Sequence, residues 1–199
     1  MLKIDNLSFS YGNEKIIDRF SIELDGNGIY AIMGPSGCGK STLFSLICGL
    51  LKPDNGSIVY DYKKVSYAFQ EPRLIPHMTA AENVNFVLGG KKSTLEKAKK
   101  ALQAVGLGSD FEKYPSELSG GMQKRVALAR ALAFDGDLLL LDETFTGLDE
   151  ETKEDIIELI KEIGKSKLIL MITHDSIEAE KCSANILHFN QINNEPPVK

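Results

Sequence analysis

The chain has 199 residues, 43% hydrophobic and 26% charged, and 23 basic against 28 acidic residues leave a net charge of −5. That length buries a core without disulfide staples and fits one domain carrying at most a small inserted unit. The mild acidity argues against a general nucleic-acid coat. The three cysteines, Cys38, Cys48 and Cys182, make neither a metal-spaced pair nor a disulfide framework, so a reducing cytosol is the expected compartment. The opening residues Met1–Asp5 carry no apolar run and predict no secretory signal. Apolar stretches such as Leu168–Ile172 fall far short of the ~18 residues of a membrane span.

The first readable element is the apolar run Ile29–Met33, a strand by length and composition. It leads into Gly34, Pro35, Ser36, Gly37, Cys38, Gly39, Lys40, Ser41 and Thr42, which match the phosphate-cradling pattern G-x-x-x-x-G-K-[ST]. Glycines let successive backbone N–H groups turn toward phosphate oxygens. A helix predicted from Lys40 through the apolar Leu43–Leu50 stretch adds its N-terminal dipole. Lys40 would supply charge to the β- and γ-phosphates, and the Ser41 hydroxyl is placed to ligate Mg²⁺. This loop alone leaves a kinase, a GTPase, a helicase and a transporter motor equally open.

From about Thr79 to Phe134 the pattern is helical throughout and reads as an inserted subdomain. Within it, Leu95, Ala98, Leu102 and Val105 share a helical face, and Ser93 with Glu96 predicts a capping box at that helix start. Further on, Ser119 reads as an N-cap, with Gly120 and Gly121 opening an anion-ready helix N-terminus. The run Leu138–Leu141 then ends in Asp142 and Glu143. Ligands of parallel sheets sit beyond the carboxyl ends of the strands, so Asp142 can reach Mg²⁺ and Glu143 can accept a hydrogen bond from an attacking water. Ile156, Leu159, Ile160 and Ile163 line one face of a helix that Gly164 would stop, and Leu168–Ile172 is another continuous apolar strand. The Asn190–Lys199 tail, rich in Asn, Pro and Lys, is expected to be loose.

The stretch Leu118-Ser119-Gly120-Gly121-Met122-Gln123 followed by Lys124–Leu132, after the phosphate loop, resembles the signature motif of ATP-binding cassette ATPases. The rest of the chain is similar to the family in order. Tyr11 resembles the aromatic that stacks on adenine, and Gln70 the loop glutamine that senses Mg²⁺ and water. Thr146-Gly147-Leu148-Asp149 resembles the D-loop that crosses the dimer interface, and His174 the switch histidine that contacts the γ-phosphate. The resemblance implies an α/β P-loop NTPase fold: a mainly parallel sheet core, an N-terminal antiparallel β region and an inserted α-helical subdomain. Its nucleotide-binding core would span 1–78 and 135–190, its helical subdomain 79–134 and its tail 191–199.

It also implies catalytic roles for Lys40, Gln70, Glu143 and His174, and metal contacts from Ser41, Gln70 and Asp142. Mg-ATP would be closed over by Ser119, Gly120, Gly121 and Asp149 of a second copy of the chain. The Gln70 region is most similar to bacterial importer ATPases of the nitrate, sulfonate and taurine group. That implies transmembrane permease subunits as partners, an extracytoplasmic solute-binding protein reached indirectly, no nucleic acid, and a cytoplasmic position on the inner face of the membrane. Ile75, Pro76 and Met78 read equally as a groove for the permease and as subdomain core. Thr144 departs from the family's usual proline, Asn55–Phe69 is shorter than in common relatives, and no large C-terminal regulatory domain is expected. The alternatives are a cassette ATPase acting on a macromolecule away from membranes, and an ATP-binding module without turnover; the presence of Glu143 and His174 speaks against the second.

Overall fold

A computed structural model describes residues 1–189; the expectation for the tail lies outside the described residues. Two strands open the chain, β1 (Leu2–Tyr11) and β2 (Glu14–Leu24). They form an antiparallel hairpin closed by a two-residue turn in which Gly12 takes φ 58°, the positive value such turns require. After β3 (Gly28–Met33) and α1 (Lys40–Ile47), β4 (Asn55–Tyr60) returns to pair antiparallel with β1, completing a three-stranded sheet ordered β2-β1-β4.

The second sheet is parallel and has five strands. It contains β5 (Val65–Ala68), β6 (Leu138–Asp142), β7 (Leu168–Ile172) and β8 (Asn185–His188), in the order β5-β6-β7-β3-β8. The continuous apolar runs are explained by burial on both faces. Leu138, Leu140, Leu168, Leu170 and Ile172 pack with α1 and the inner face of the antiparallel sheet, where Leu2, Ile4 and Phe20 are buried. Leu139, Leu141, Ile169 and Met171 face the opposite way, into a core shared with the remaining helices. Between β5 and β6 lie α2 (Ala80–Phe86), α3 (Leu95–Ala104) and α4 (Gly120–Phe134); α5 (Glu150–Gly164) and α6 (Ser176–Lys181) follow β6 and β7.

Two local expectations are corrected. The helix after the phosphate loop ends at Ile47 rather than Leu50, because Gly49 turns left-handed at φ 75° and leaves Leu50 exposed. Ser93 does not cap α3: Lys92–Thr94 tighten into a 3₁₀ turn, and Thr94 is the residue at the helix boundary. A capping box does exist, at Thr79 and Glu82 of α2, where each residue's side chain accepts from the other's backbone N–H. The helix α5 ends at Gly164 as expected, and the glycine is also required by packing: a Cβ there would lie 2.7 Å from Ile29 Cγ1.

Candidate functional site

Strand order assembles the site. Adjacent strands β5, β6, β7 and β3 run parallel, so the segments leaving their carboxyl ends lie side by side: Gln70 after β5, Glu143 after β6, His174 after β7 and the phosphate loop after β3. An open cleft at this edge is lined by Tyr11, Ile16, Ser36, Gly37, Gly39, Lys40, Ser41, Thr42, Gln70, Glu143 and His174. Gly34, Pro35 and Cys38 belong to the same loop and meet the Lys40 ammonium.

Within the loop, Gly37 and Gly39 adopt φ 78° and 105°. Gly39 is doubly constrained, because a Cβ there would sit 2.7 Å from Ile16 Cγ2. Lys40 opens α1 yet is 5% exposed. Its Nζ donates to the carbonyls of Gly34 and Pro35, both at 2.8 Å, and lies 3.8 Å from Cys38 Sγ. The ammonium is thus held by loop dipoles rather than by a carboxylate. Tyr11, half exposed at the end of β1, rests edge-on against Phe9 and offers its ring to the mouth of the cleft.

Glu143 is the centre of the polar network. Its Oε2 accepts from Gln70 Nε2 at 2.8 Å, and its Oε1 lies 2.6 Å from His174 Nε2. A carboxylate can only accept, so Nε2 carries the hydrogen of that pair. Glu143 also holds a left-handed backbone, φ 47°, pinned by its N–H donating to the Ile172 carbonyl at 3.0 Å. A non-glycine residue in that region is strained by about 1–3 kcal/mol, and such strain persists where surrounding contacts over-determine it. Next to it Thr144, in the place of the family's proline, is buried with no partner for its hydroxyl.

Asp142 ends β6 almost fully buried. Burial pushes its pKa up and the charge of Glu143 adds to that; the nearby hydroxyls of Ser41 and Tyr67 and the charge of Lys40 oppose it. Its Oδ2 accepts from the Tyr67 hydroxyl at 3.0 Å, while Oδ1 is buried without any hydrogen-bond partner. An orphaned carboxylate oxygen beside a serine hydroxyl is a hard-oxygen donor set and fits a magnesium ion. Among the described residues no cluster of three or more His, Cys, Asp or Glu offers a competing metal site. Tyr67 carries no motif in the sequence; only the pairing of β5 with β6 reveals it as a partner of Asp142.

The remaining predicted residues lie elsewhere. Ser119, Gly120, Gly121 and Asp149 do not line the cleft. Ser119 caps α4, accepting from the Met122 N–H at 3.3 Å, and Asp149 caps α5, accepting from the Thr152 N–H at 2.9 Å. These two helix starts are packed together: a Cβ on Gly121 would meet the Gly147 carbonyl at 2.9 Å, and Lys124 Nζ donates to the Thr146 carbonyl at 2.9 Å. The loop after Gln70 is clasped by Arg130 of α4, whose guanidinium donates to the carbonyls of Pro72 and Arg73 at 2.7 and 2.9 Å. Ile75 and Met78 are half-buried and Pro76 is exposed, so these three are not simply core.

Residues 17–146 match the family model described as ABC transporter. The ergothioneine transport ATP-binding protein EgtV of Helicobacter pylori is 35% identical over 96% of this chain and 98% of its own length. A probable sulfate/thiosulfate import ATP-binding protein, CysA of Chlorella vulgaris, is 36% identical over 92% of this chain and 85% of its own. The Fe(3+) ions import ATP-binding protein FbpC of Photorhabdus laumondii is 35% identical over 96% of this chain, which spans only 59% of that relative. In structure, the ATP-binding cassette MJ0796, solved as a dimer in a post-hydrolysis state with ADP and Pi, superposes with a TM-score of 0.83 at 30% identity, covering 91% of each chain. The same cassette in a second dimeric structure gives a TM-score of 0.84 at 31% identity. A motif order kept along the chain, a cleft assembled from four adjacent strand ends and these likenesses agree: the chain belongs to the ABC transporter family, as one of its ATP-hydrolysing cassettes.

Proposed function

We propose that the chain is the motor subunit of a bacterial importer of a small solute, hydrolysing ATP in two pockets shared between two copies of itself. The observation that carries this reading is the hydrogen-bonded series Gln70–Glu143–His174 facing Lys40 across one cleft. Lys40 and the N–H groups of Gly34–Thr42 bind the triphosphate, and Tyr11 stacks on the base. Glu143 takes the proton of the attacking water, Gln70 and His174 orient its two oxygens, and His174 turns to the γ-phosphate. Ser41, Asp142 and Gln70 would hold a magnesium ion, which would supply positive charge to offset that of the β- and γ-phosphates. Ser119, Gly120, Gly121 and Asp149 of the second copy complete each pocket, as in head-to-tail twofold packing. The dimers of the structural relative support this arrangement.

The importer reading is supported by the names of the relatives, which serve ergothioneine, sulfate/thiosulfate and Fe(3+). No helix among the described residues is long and apolar enough to cross a membrane, and relatives named as import ATP-binding proteins support permease subunits in the membrane as partners. The exposed side of the loop holding Ile75, Pro76 and Met78 is the surface offered to them, a solute-binding protein is reached through them, and the chain sits on the cytoplasmic face. The test is Glu143→Gln. Size-exclusion chromatography with Mg-ATP should show an accumulated dimer with turnover lost; a monomer that still hydrolyses ATP removes both the shared pocket and the assigned base. Mild detergent extraction should recover the chain with a membrane permease, and recovery without any membrane protein would refute the transport role.

A further inference from the structure

Behind His174, on the side away from the cleft, lies a buried polar series that the proposed chemistry does not use. Thr173 is 3% exposed and immediately precedes the histidine. Its hydroxyl accepts from the Asp175 N–H at 3.1 Å and donates to Glu178 Oε2 at 2.5 Å. Glu178, in α6, is 8% exposed, and its other oxygen lies 3.4 Å from Lys153 Nζ of α5. Both charged side chains of that pair are largely withdrawn from water, at 15% and 10% exposure. Lys153 sits one helical turn beyond Asp149: its N–H makes the first-turn bond to the Asp149 carbonyl at 2.9 Å.

A buried glutamate is retained only if its charge is matched and its oxygens are bonded. Here one oxygen is bonded by Thr173 of the peptide carrying His174, and the charge is matched by Lys153 of the helix that starts at Asp149, whose Nζ also donates to the exposed Glu150 Oε1 at 3.2 Å. We infer that Lys153 and Glu178 are a positioning pair that fixes His174 against Glu143 and ties that geometry to the D-loop. A shift of α5 moves Lys153, Glu178 follows its only charged partner in this network, and the Thr173–Asp175 turn reorients the imidazole on its other side. The placement of α5 relative to a second copy is thereby felt at the hydrolytic centre. Neither Lys153 nor Glu178 lines the cleft, so the effect of the pair falls on the chemical step and not on ATP binding.

The inference rests on the proposed roles of His174 and Glu143, and the experiment separates the two. Steady-state ATPase kinetics of the full chain are compared for Lys153→Met, Glu178→Gln, Lys153→Arg, the Lys153→Met/Glu178→Gln double variant and His174→Ala. Lys153→Met and Glu178→Gln should each lower kcat about tenfold with KM for ATP within about twofold, since a small misplacement of a reacting group is costly while the cradle is untouched. The double variant should be no slower than either single one, and Lys153→Arg should keep most of the rate. Lys181→Met serves as the control: it breaks the exposed Lys181–Glu154 pair between the same two helices, 3.1 Å apart, and should leave kcat unchanged. Unchanged kcat in folded Lys153→Met, a loss confined to KM, or multiplying losses in the double variant would overturn the positioning role. If His174→Ala turns over at the wild-type rate, the reading of the site falls and the pair's role with it. If His174→Ala is inactive while the pair variants are not, only the pair's role falls. Should Glu178→Gln not fold, Lys153→Met against Lys153→Arg decides alone.

Discussion

The cleft at the strand ends and the paired starts of α4 and α5 are both phosphate-ready surfaces, and they are finished to different degrees. In the cleft, side chains from four strands already engage one another: Lys40 with its own loop, Gln70 and His174 with Glu143, Tyr67 with Asp142. At the helix starts, Ser119 and Asp149 satisfy one N–H each, and the first-turn N–H groups of Gly120 and Gly121 are left for an acceptor beyond the helix. The cleft therefore shows a nearly complete reaction centre lacking a lid, and the helix starts show a lid lacking a reaction centre. In the twofold arrangement proposed above, each copy would supply the other with the part it lacks.

The sharpest way to break this comparison is to disable the two surfaces in different chains. Lys40→Ala removes the cradle's cation, at a cost of about 1.5–3 kcal/mol in nucleotide affinity. Gly120→Asp puts a carboxylate where a phosphate is expected, and nothing in its own chain lies within 4 Å of a Cβ there. Each variant alone should be nearly inactive. Mixed, random pairing makes about half the dimers heterodimers with one intact pocket of two, so about a quarter of the wild-type rate should return. No recovery on mixing would mean that cradle and signature act within one chain.

Next in size is Asp142→Asn. Because burial raises the folded-state pKa of Asp142, its ionised form weakens the ligand-free fold. The sign follows: the penalty is absent below the ordinary value of 3.8, grows as pH rises above it, and is complete once pH has passed the raised folded-state value. The ligand-free variant should therefore match the wild type at low pH and equal or exceed its Tm at neutral pH, while losing turnover by about a hundredfold or more with the metal contact. A lower Tm at neutral pH would show that the carboxylate stabilises the empty cleft.

A smaller effect distinguishes the two glycines of the lid. Gly121→Ala would force a methyl against the Gly147 carbonyl and should destabilise the chain by about 1–3 kcal/mol. Gly120→Ala meets nothing in its own chain, so its Tm should hold while turnover falls roughly tenfold, about 1.4 kcal/mol of barrier. If Gly120→Ala turns over normally, no partner's phosphate approaches that face.

Most of the cleft is legible from the sequence because its residues sit at strand ends whose apolar runs are themselves readable: Leu138–Leu141 announces Asp142 and Glu143, and Leu168–Ile172 announces His174. The structure brings Tyr11, Gln70, Glu143, His174 and the loop residues Ser36, Gly37, Gly39, Lys40, Ser41 and Thr42 to one cleft. What escapes is whatever depends on contacts between distant segments. Ser93 and Glu96 have the spacing of a capping box, yet Thr94 bonds the Asn85 side chain at 2.6 Å and the Lys91 carbonyl at 2.8 Å, which draws the chain into a 3₁₀ turn instead. Thr173 and Glu178 look like ordinary residues around a helix start; only the approach of Lys153 gives them meaning. The left-handed turn at Glu143 follows from no local propensity and is held by the neighbouring strand.

Tyr67 gives the smallest effect and tests how finished the cleft is. Its ring stacks on Phe69 at 3.9 Å and meets Phe44 edge-on at 5.8 Å, and its hydroxyl is the donor to Asp142 Oδ2. Burial and the Asp142 charge both push the phenol's pKa up, so it stays a donor at every working pH. Tyr67→Phe keeps the ring packing and removes only the hydroxyl, leaving the buried carboxylate without a side-chain hydrogen-bond donor among the described residues. The ligand-free variant should lose about 1 kcal/mol, a few degrees in Tm for a chain of this size. The gap should widen as pH rises and Asp142 ionises, and narrow again with Mg-ATP, because a cation at Oδ1 carries the charge that the phenol had shared. A Tm gap indifferent to both pH and Mg-ATP would place the contribution of Tyr67 in its ring contacts, and the orphaned Asp142 oxygen would no longer support a metal at that end of the cleft.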